Sequence, residues 1–208
     1  MRISIASYGV GNMHSITKAV ERTGVAAVIA KTPAELFPAD GIILPGVGSF
    51  SAGSRWFAGQ REEAARLMRE TPVLGICLGC QLLLEDSEEG SGRGLGLIPG
   101  NVKRLHANKV PNMGWEKVSH PADSILFEGI PDGEPFYFVH SYIPVPSDIG
   151  DKAATTTMKD GDGSVTFTSA IARGNIFGVQ FHPEKSSTQG LRLISNFVDH
   201  SRRICRCR

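Results

Sequence analysis

Apolar residues follow one rhythm in the first 84 positions and another in the rest. Short, largely apolar runs stand at 3–6, 25–30, 41–44 and 72–76, the last two closed by Pro45 and by a Gly-x-Cys turn. Between them lie stretches with helical spacing. One covers 15–22 and is closed by Gly24. A short turn opens at Pro33, a longer helix covers 55–69, and another covers 78–84. Short buried strands separated by helices predict a parallel sheet covered on both faces. The second half reads as strands at 102–105, 136–141, 153–158, 165–172 and 176–181, separated by loops rich in Gly, Pro and Asp. A final helix is predicted over 188–200. The expected fold class is therefore α/β: an open, mostly parallel sheet with helices on both faces, plus a mixed or antiparallel addition. No Ser/Gly linker and no 20–50-residue repeat divides the chain. It reads as one domain, 1–201, followed by a basic tail, 202–208, expected to be disordered.

Composition narrows the function classes. The 208 residues are 41% hydrophobic and 21% charged, as in an ordinary globular protein. Lys and Arg number 22 against 21 Asp and Glu, a net charge of +1, so no basic face for nucleic acid is expected. No apolar run reaches the roughly 18–20 residues of a membrane span. The opening MRISIAS enters a strand without a secretory pattern, so a reducing, cytoplasmic setting is expected. Cys77, Cys80, Cys205 and Cys207 do not form a disulfide framework. No cofactor or metal is expected.

The chemistry concentrates at Gly75-Ile76-Cys77-Leu78-Gly79, where a buried strand meets a helix. This is the cysteine form of a nucleophile elbow. The turn is so tight that side chains at 75 and 79 would meet backbone, and Gly at both lets Cys77 take a strained conformation. The thiol then stands at a helix N-terminus, where the dipole favours a thiolate and the N–H of Leu78 faces a developing oxyanion. Other readings of these residues remain. Cys77 could be a structural cysteine in a glycine-rich turn. Cys77-x-x-Cys80 also fits a thioredoxin-like redox motif, although that leaves Gly75 and Gly79 unexplained. A zinc site from all four cysteines would need the tail to reach the sheet edge.

A nucleophilic cysteine needs a base, and the base an orienting group. Gly178-Val179-Gln180-Phe181-His182-Pro183-Glu184 supplies both. Pro183 stops the strand and leaves His182 at its carboxyl end, where open α/β sheets bind ligands. Glu184 can turn back to accept the second imidazole N–H. His140 ends another strand and could line the same cleft. His14 and His200 read as helix surface, and His106 and His120 as loop.

Taken together, GICLGCQ, GVQFHPEKS and LPGVGSF resemble the class I, triad-type glutamine amidotransferases, over nearly the whole chain. Further segments (SYGVGNMHSI, GLGLIPG, KVPNMGWEKV and FYFVHSY) resemble the branch whose members feed a separate cyclase in histidine biosynthesis. The resemblance implies a flavodoxin-like amidotransferase fold and hydrolysis of L-glutamine to glutamate and ammonia. Cys77 would be the nucleophile, His182 the base and later the acid, and Glu184 its orienter. The oxyanion hole would use Leu78 and an N–H of Val47 or Gly48. Gly46, Gln81, Glu89, Ser141 and Tyr142 would hold the substrate. The partner implied is a cyclase subunit with a (β/α)8 barrel. Met113, Trp115, Tyr137 and Lys185 are its expected contacts, because Met, Trp and Tyr anchor interface cores. Two glycines flank Val47, so a peptide flip there is expected to switch the oxyanion hole when the partner docks. The chain departs from the usual pattern at Ser7, Cys80, Asn112 and Glu116.

Overall fold

Alternation along the buried strands decides the layering of the molecule. The structure is a computed structural model that describes residues 1–8, 13–46 and 48–206. In β3 (Gly41–Leu44) and β4 (Val73–Ile76) every residue is buried, so neither face meets solvent. Ile43, Leu74 and Ile76 point into one core, with Ile16 and Val20 of α1 (Met13–Glu21) and Ile194 and Phe197 of α5 (Ser187–Arg206). Ile42, Leu44 and Val73 point into the other. They pack there with Phe50 of α2 (Phe50–Trp56), Met68 of α3 (Arg61–Glu70) and Leu82 of α4 (Leu78–Leu82). Period-two side-chain direction thus builds a three-layer sandwich from a short apolar strand.

The remaining strands are β1 (Arg2–Ala6), β2 (Ala26–Ala30), β5 (Asp86–Ser87), β6 (Gly100–Arg104), β7 (Asn112–Ser119), β8 (Pro135–His140), β9 (Tyr142–Pro146), β10 (Lys152–Asp160), β11 (Gly163–Arg173) and β12 (Ile176–Val179). A nine-stranded sheet has the order β2-β1-β3-β4-β12-β11-β10-β7-β8, and β5-β6-β9 form a smaller one. The large sheet is parallel from β2 to β12 and antiparallel from β12 to β8. β4 and β12 run side by side, with Ile76 opposite Val179. Whatever follows these two strands must therefore emerge at the same edge.

Several expected boundaries are corrected. The single helix over 55–69 is two helices, because the chain turns at 57–60 with Gly59 at φ 78°. The PNMGW segment is strand, not loop: β7 begins at Asn112. The last helix does not stop at His200 but runs to Arg206, so 202–206 are helical rather than a disordered tail. Among the described residues, no helix is long and apolar enough to cross a membrane.

Candidate active site

Cys77 sits between β4 and α4 with φ 48° and ψ −104°, a conformation that costs a non-glycine residue energy. Close packing enforces it. A Cβ at Gly79 would lie 1.8 Å from the Leu44 carbonyl oxygen, and one at Gly75 would lie 2.5 Å from the Gly79 oxygen. A Cβ at Gly46 would lie 2.3 Å from the Ile76 oxygen. The Cys77 N–H donates to the Val179 carbonyl at 2.7 Å, tying the elbow to β12. Leu78 opens α4, at a position whose N–H has no acceptor within its own helix. Gly48 follows with φ 110°; Val47 lies outside the described residues.

His182 lies three residues beyond β12 and is 1% exposed. Its N–H donates to the Tyr137 carbonyl at 2.8 Å. Its Nδ1 faces Glu184 Oε1 at 2.8 Å, and its ring lies beside Cys77. Burial works against charge on the imidazole. The contacts with Cys77 and Glu184, with the negative charge of both groups, outweigh it and raise its pKa from 6.5 to about 9. The second Glu184 oxygen, Oε2, is buried without a hydrogen-bond partner among the described residues. The expected base and orienter are thus brought together at the cysteine.

A polar network surrounds them, joining Gln81, Tyr142 and His140, which the sequence singles out, to Gln180, which it does not. Gln180, fully buried, donates from Nε2 to Cys77 Sγ at 3.4 Å. Gln81 Nε2 donates to Gln180 Oε1 at 3.2 Å and to the Tyr142 carbonyl at 3.3 Å. His140 lines the same region. Its Nδ1 is 2.9 Å from the Tyr142 carbonyl and its Nε2 is 3.2 Å from Asn112 Nδ2. A carbonyl only accepts, so Nδ1 carries the proton and Nε2 accepts from the amide. Burial, aided by His182 and opposed by the Tyr142 contact, lowers the His140 pKa from 6.5 to about 4. The Tyr8 hydroxyl donates to the Pro45 carbonyl, and burial followed by the Cys77 charge pushes its pKa well above 10. The β4–β12 neighbourhood was the signal for Gln180. Its number alone carried none.

The expected substrate contacts are distributed around this centre. Glu89 Oε2 accepts from the Phe50 N–H at 2.7 Å, at the start of α2. The carbonyls of Ser141 and Tyr142 are occupied, the first by the Leu105 N–H at 2.9 Å.

Comparison with known proteins decides the family. A family model described as glutamine amidotransferase class-I matches residues 5–201. The chain belongs to the class I glutamine amidotransferases. This amidotransferase is 48% identical to an imidazole glycerol phosphate synthase subunit HisH of Moorella thermoacetica, over 94% of this chain and 93% of the relative. It is 45% identical to a subunit of the same name from Natronomonas pharaonis, over 95% and 94%. Among solved structures, PurLQS from Thermotoga maritima resembles it with a TM-score of 0.69 at 21% identity, over 96% of this chain and 98% of that one. That likeness extends to the fold alone.

Within this amidotransferase, Cys80 stands apart from Cys77. Its side chain belongs to the core on the opposite face of the sheet, where a Cβ at Gly178 would lie 2.7 Å from its sulfur. Burial, and then the charge of Cys77, push its pKa well above 9. A buried thiol in the opposite core argues against the redox-pair reading. None of the described cysteines, Cys77, Cys80 and Cys205, is in a disulfide. His200, read as helix surface, is buried instead. It bonds to Asn175 at 3.0 Å and meets Phe177 edge-on. Met113, Trp115, Tyr137 and Lys185 share one face. Met113 and Trp115 are 63% and 51% exposed, Trp115 lies opposite Tyr137 across β7 and β8, and the Lys185 ammonium is 5.9 Å from the Tyr137 ring.

Proposed function

We propose that this chain is the glutaminase half of a two-subunit imidazole glycerol phosphate synthase. The observation that carries the reading is the buried Cys77–His182–Glu184 cluster at a strained elbow. Identity to the synthase subunits above supports the choice of acceptor. In this reading residues 1–201 are one amidotransferase domain working in the cytoplasm.

In this reading the cycle runs from thiolate to thioester and back. The Cys77 thiolate adds to the γ-carboxamide carbon of glutamine, and the carbonyl electrons move onto oxygen. The N–H of Leu78 and one from the 46–48 loop, with Val47 or Gly48 as donor, hold that oxyanion. His182, protonated through neutral pH, gives its proton to the nitrogen. The C–N bond breaks, ammonia leaves, and a thioester remains. Water then attacks, His182 takes its proton, and the S–C bond breaks to release glutamate. Glu184 holds the imidazole in the tautomer that this needs and stabilises its charge. Both Nε2 protons of Gln81 are committed, so its Oε1 is what remains to accept the substrate's ammonium. Glu89 adds negative charge for the same group. Gly46 and the N–H groups at Ser141 and Tyr142 take the backbone end of the substrate.

Ammonia passes in this reading to a cyclase subunit with a (β/α)8 barrel. The cyclase uses it on a ribulosyl-imidazolecarboxamide nucleotide. Its products are imidazole glycerol phosphate and an aminoimidazole carboxamide ribonucleotide. Met113, Trp115, Tyr137 and Lys185 form the docking face. The test is a pull-down from native extract followed by a glutamine-dependent synthase assay. Recovery of a cyclase that makes imidazole glycerol phosphate from glutamine supports the reading. Recovery of a different ammonia-consuming synthase overturns the acceptor.

A further inference from the structure

We propose that Gln180 is a further catalytic residue. Its side-chain amide hydrogen-bonds the sulfur of Cys77 and stabilises the negative charge that the sulfur carries before attack and on leaving the thioester. The proposal rests on the glutaminase reading, and it adds a group to the reacting atoms beyond the triad.

The orientation of the amide is forced. The Tyr142 carbonyl can only accept, so the Gln81 atom facing it at 3.3 Å is the amide nitrogen. That same nitrogen lies 3.2 Å from the Gln180 side chain, which must therefore present its oxygen. The other end of the Gln180 amide, 3.4 Å from Cys77 Sγ, is then the NH2 group, and it donates. A flipped Gln180 would set NH2 against NH2 at one end and oxygen against a thiolate at the other. The relay is anchored at both ends. The Tyr142 carbonyl also takes His140 Nδ1 at 2.9 Å, and the backbone N–H of Gln180 donates to the Ser169 carbonyl at 2.8 Å. With 0% exposure at Gln180 and 5% at Gln81, no water competes for the sulfur from this side.

A buried donor on sulfur acts when the sulfur is charged. The Val139 carbonyl, 3.9 Å from Sγ, favours the protonated thiol, and the Gln180 amide offsets it. During thioester hydrolysis the S–C electron pair returns to sulfur, and the same N–H receives that charge. Hydrogen bonds to charged groups contribute enough that losing one costs roughly 10- to 100-fold in rate.

Gln180→Glu and Gln180→Met separate this role from a packing role. The methionine keeps volume and removes both contacts, whereas the glutamate keeps an acceptor for Gln81 and, when ionised, removes the donor to sulfur. Each variant is assayed for glutamine hydrolysis with the cyclase partner, for alkylation of Cys77 by iodoacetamide without glutamine, and for melting temperature. Both should lower kcat by roughly 10- to 100-fold and slow Cys77 alkylation by a similar factor, and the glutamate, which keeps the acceptor for Gln81, should change KM by less than about threefold. Wild-type kcat and alkylation in either folded variant would overturn the proposal. If Gln180→Met does not fold, the near-isosteric glutamate decides. A wild-type chain that alkylates at Cys77 but hydrolyses no glutamine defeats the glutaminase reading, and the alkylation rates still decide the contact.

Discussion

Cys77, Gln180, His182 and Glu184 come from two stretches of chain about a hundred positions apart; Gln180 meets the Cys77 sulfur and Glu184 meets the His182 ring. The proposed triad was legible in the sequence because its members are flagged by close neighbours. Gly75 and Gly79 flag the elbow, and Pro183 halts the chain at His182. Gln180, Asn112 and Tyr8 were not legible, since their partners depend on which strands lie side by side. Two tests belong to this scale. Glu184→Gln should be milder than His182→Asn, by roughly tenfold or more in kcat, because Glu184 orients charge and transfers no proton. Steady-state kinetics with saturating glutamine measure the difference. The second concerns His140. Its folded pKa of about 4 lies below the ordinary 6.5, so between these values the unfolded chain binds the extra proton. Its contribution to stability is present above about pH 6.5 and is lost as pH falls towards 4, by up to about 3 kcal/mol. Urea midpoints of wild type and His140→Gln across that window should converge as the pH drops.

Elements were predicted well where local signals and packing agree. The strands β1, β3 and β4 were readable as apolar runs because both of their faces are covered. The break between α2 and α3 was missed because helical spacing continues across Gly59, and a glycine at φ 78° interrupts it from within. β7 was missed because its pattern, Asn-Met-Gly-Trp-Glu-Lys, alternates a polar inner face with an exposed apolar one, the reverse of a half-buried strand. α5 outlasted its predicted end because His200 and Ser201 pack inward, and Ser201 lies against Gly41 of β3. The elbow gives this scale its test. Gly79→Ala would press a methyl group into the Leu44 carbonyl oxygen at 1.8 Å. Relief requires α4 to move away from β3. The variant should lose roughly 3 kcal/mol or more of stability together with its glutaminase activity. Thermal melting and the glutamine assay check both.

At the scale of the whole molecule, the parallel half of the sheet places Cys77, the proposed nucleophile, and the antiparallel half supplies the outer face. Tyr137 joins the two. Its carbonyl holds the His182 N–H, and its ring lies between Trp115 and Lys185. A partner that shifts β8 would therefore be felt at the base. Trp115 is 51% exposed and packs on no core, so Trp115→Ala should keep its melting temperature. It should weaken cyclase binding by about 2 kcal/mol or more, read as a dissociation constant by titration calorimetry. Early melting with unchanged binding would move the docking face elsewhere.

The central claim is that Cys77 carries the substrate as a covalent thioester. The direct measurement is peptide mapping by mass spectrometry after acid quench of the chain and its cyclase partner during glutamine turnover. The account predicts a glutamyl group on Cys77, and none on any cysteine of the Cys77→Ser variant, which should also be inactive. A glutamyl group on another residue, or undiminished turnover by Cys77→Ser, would contradict it.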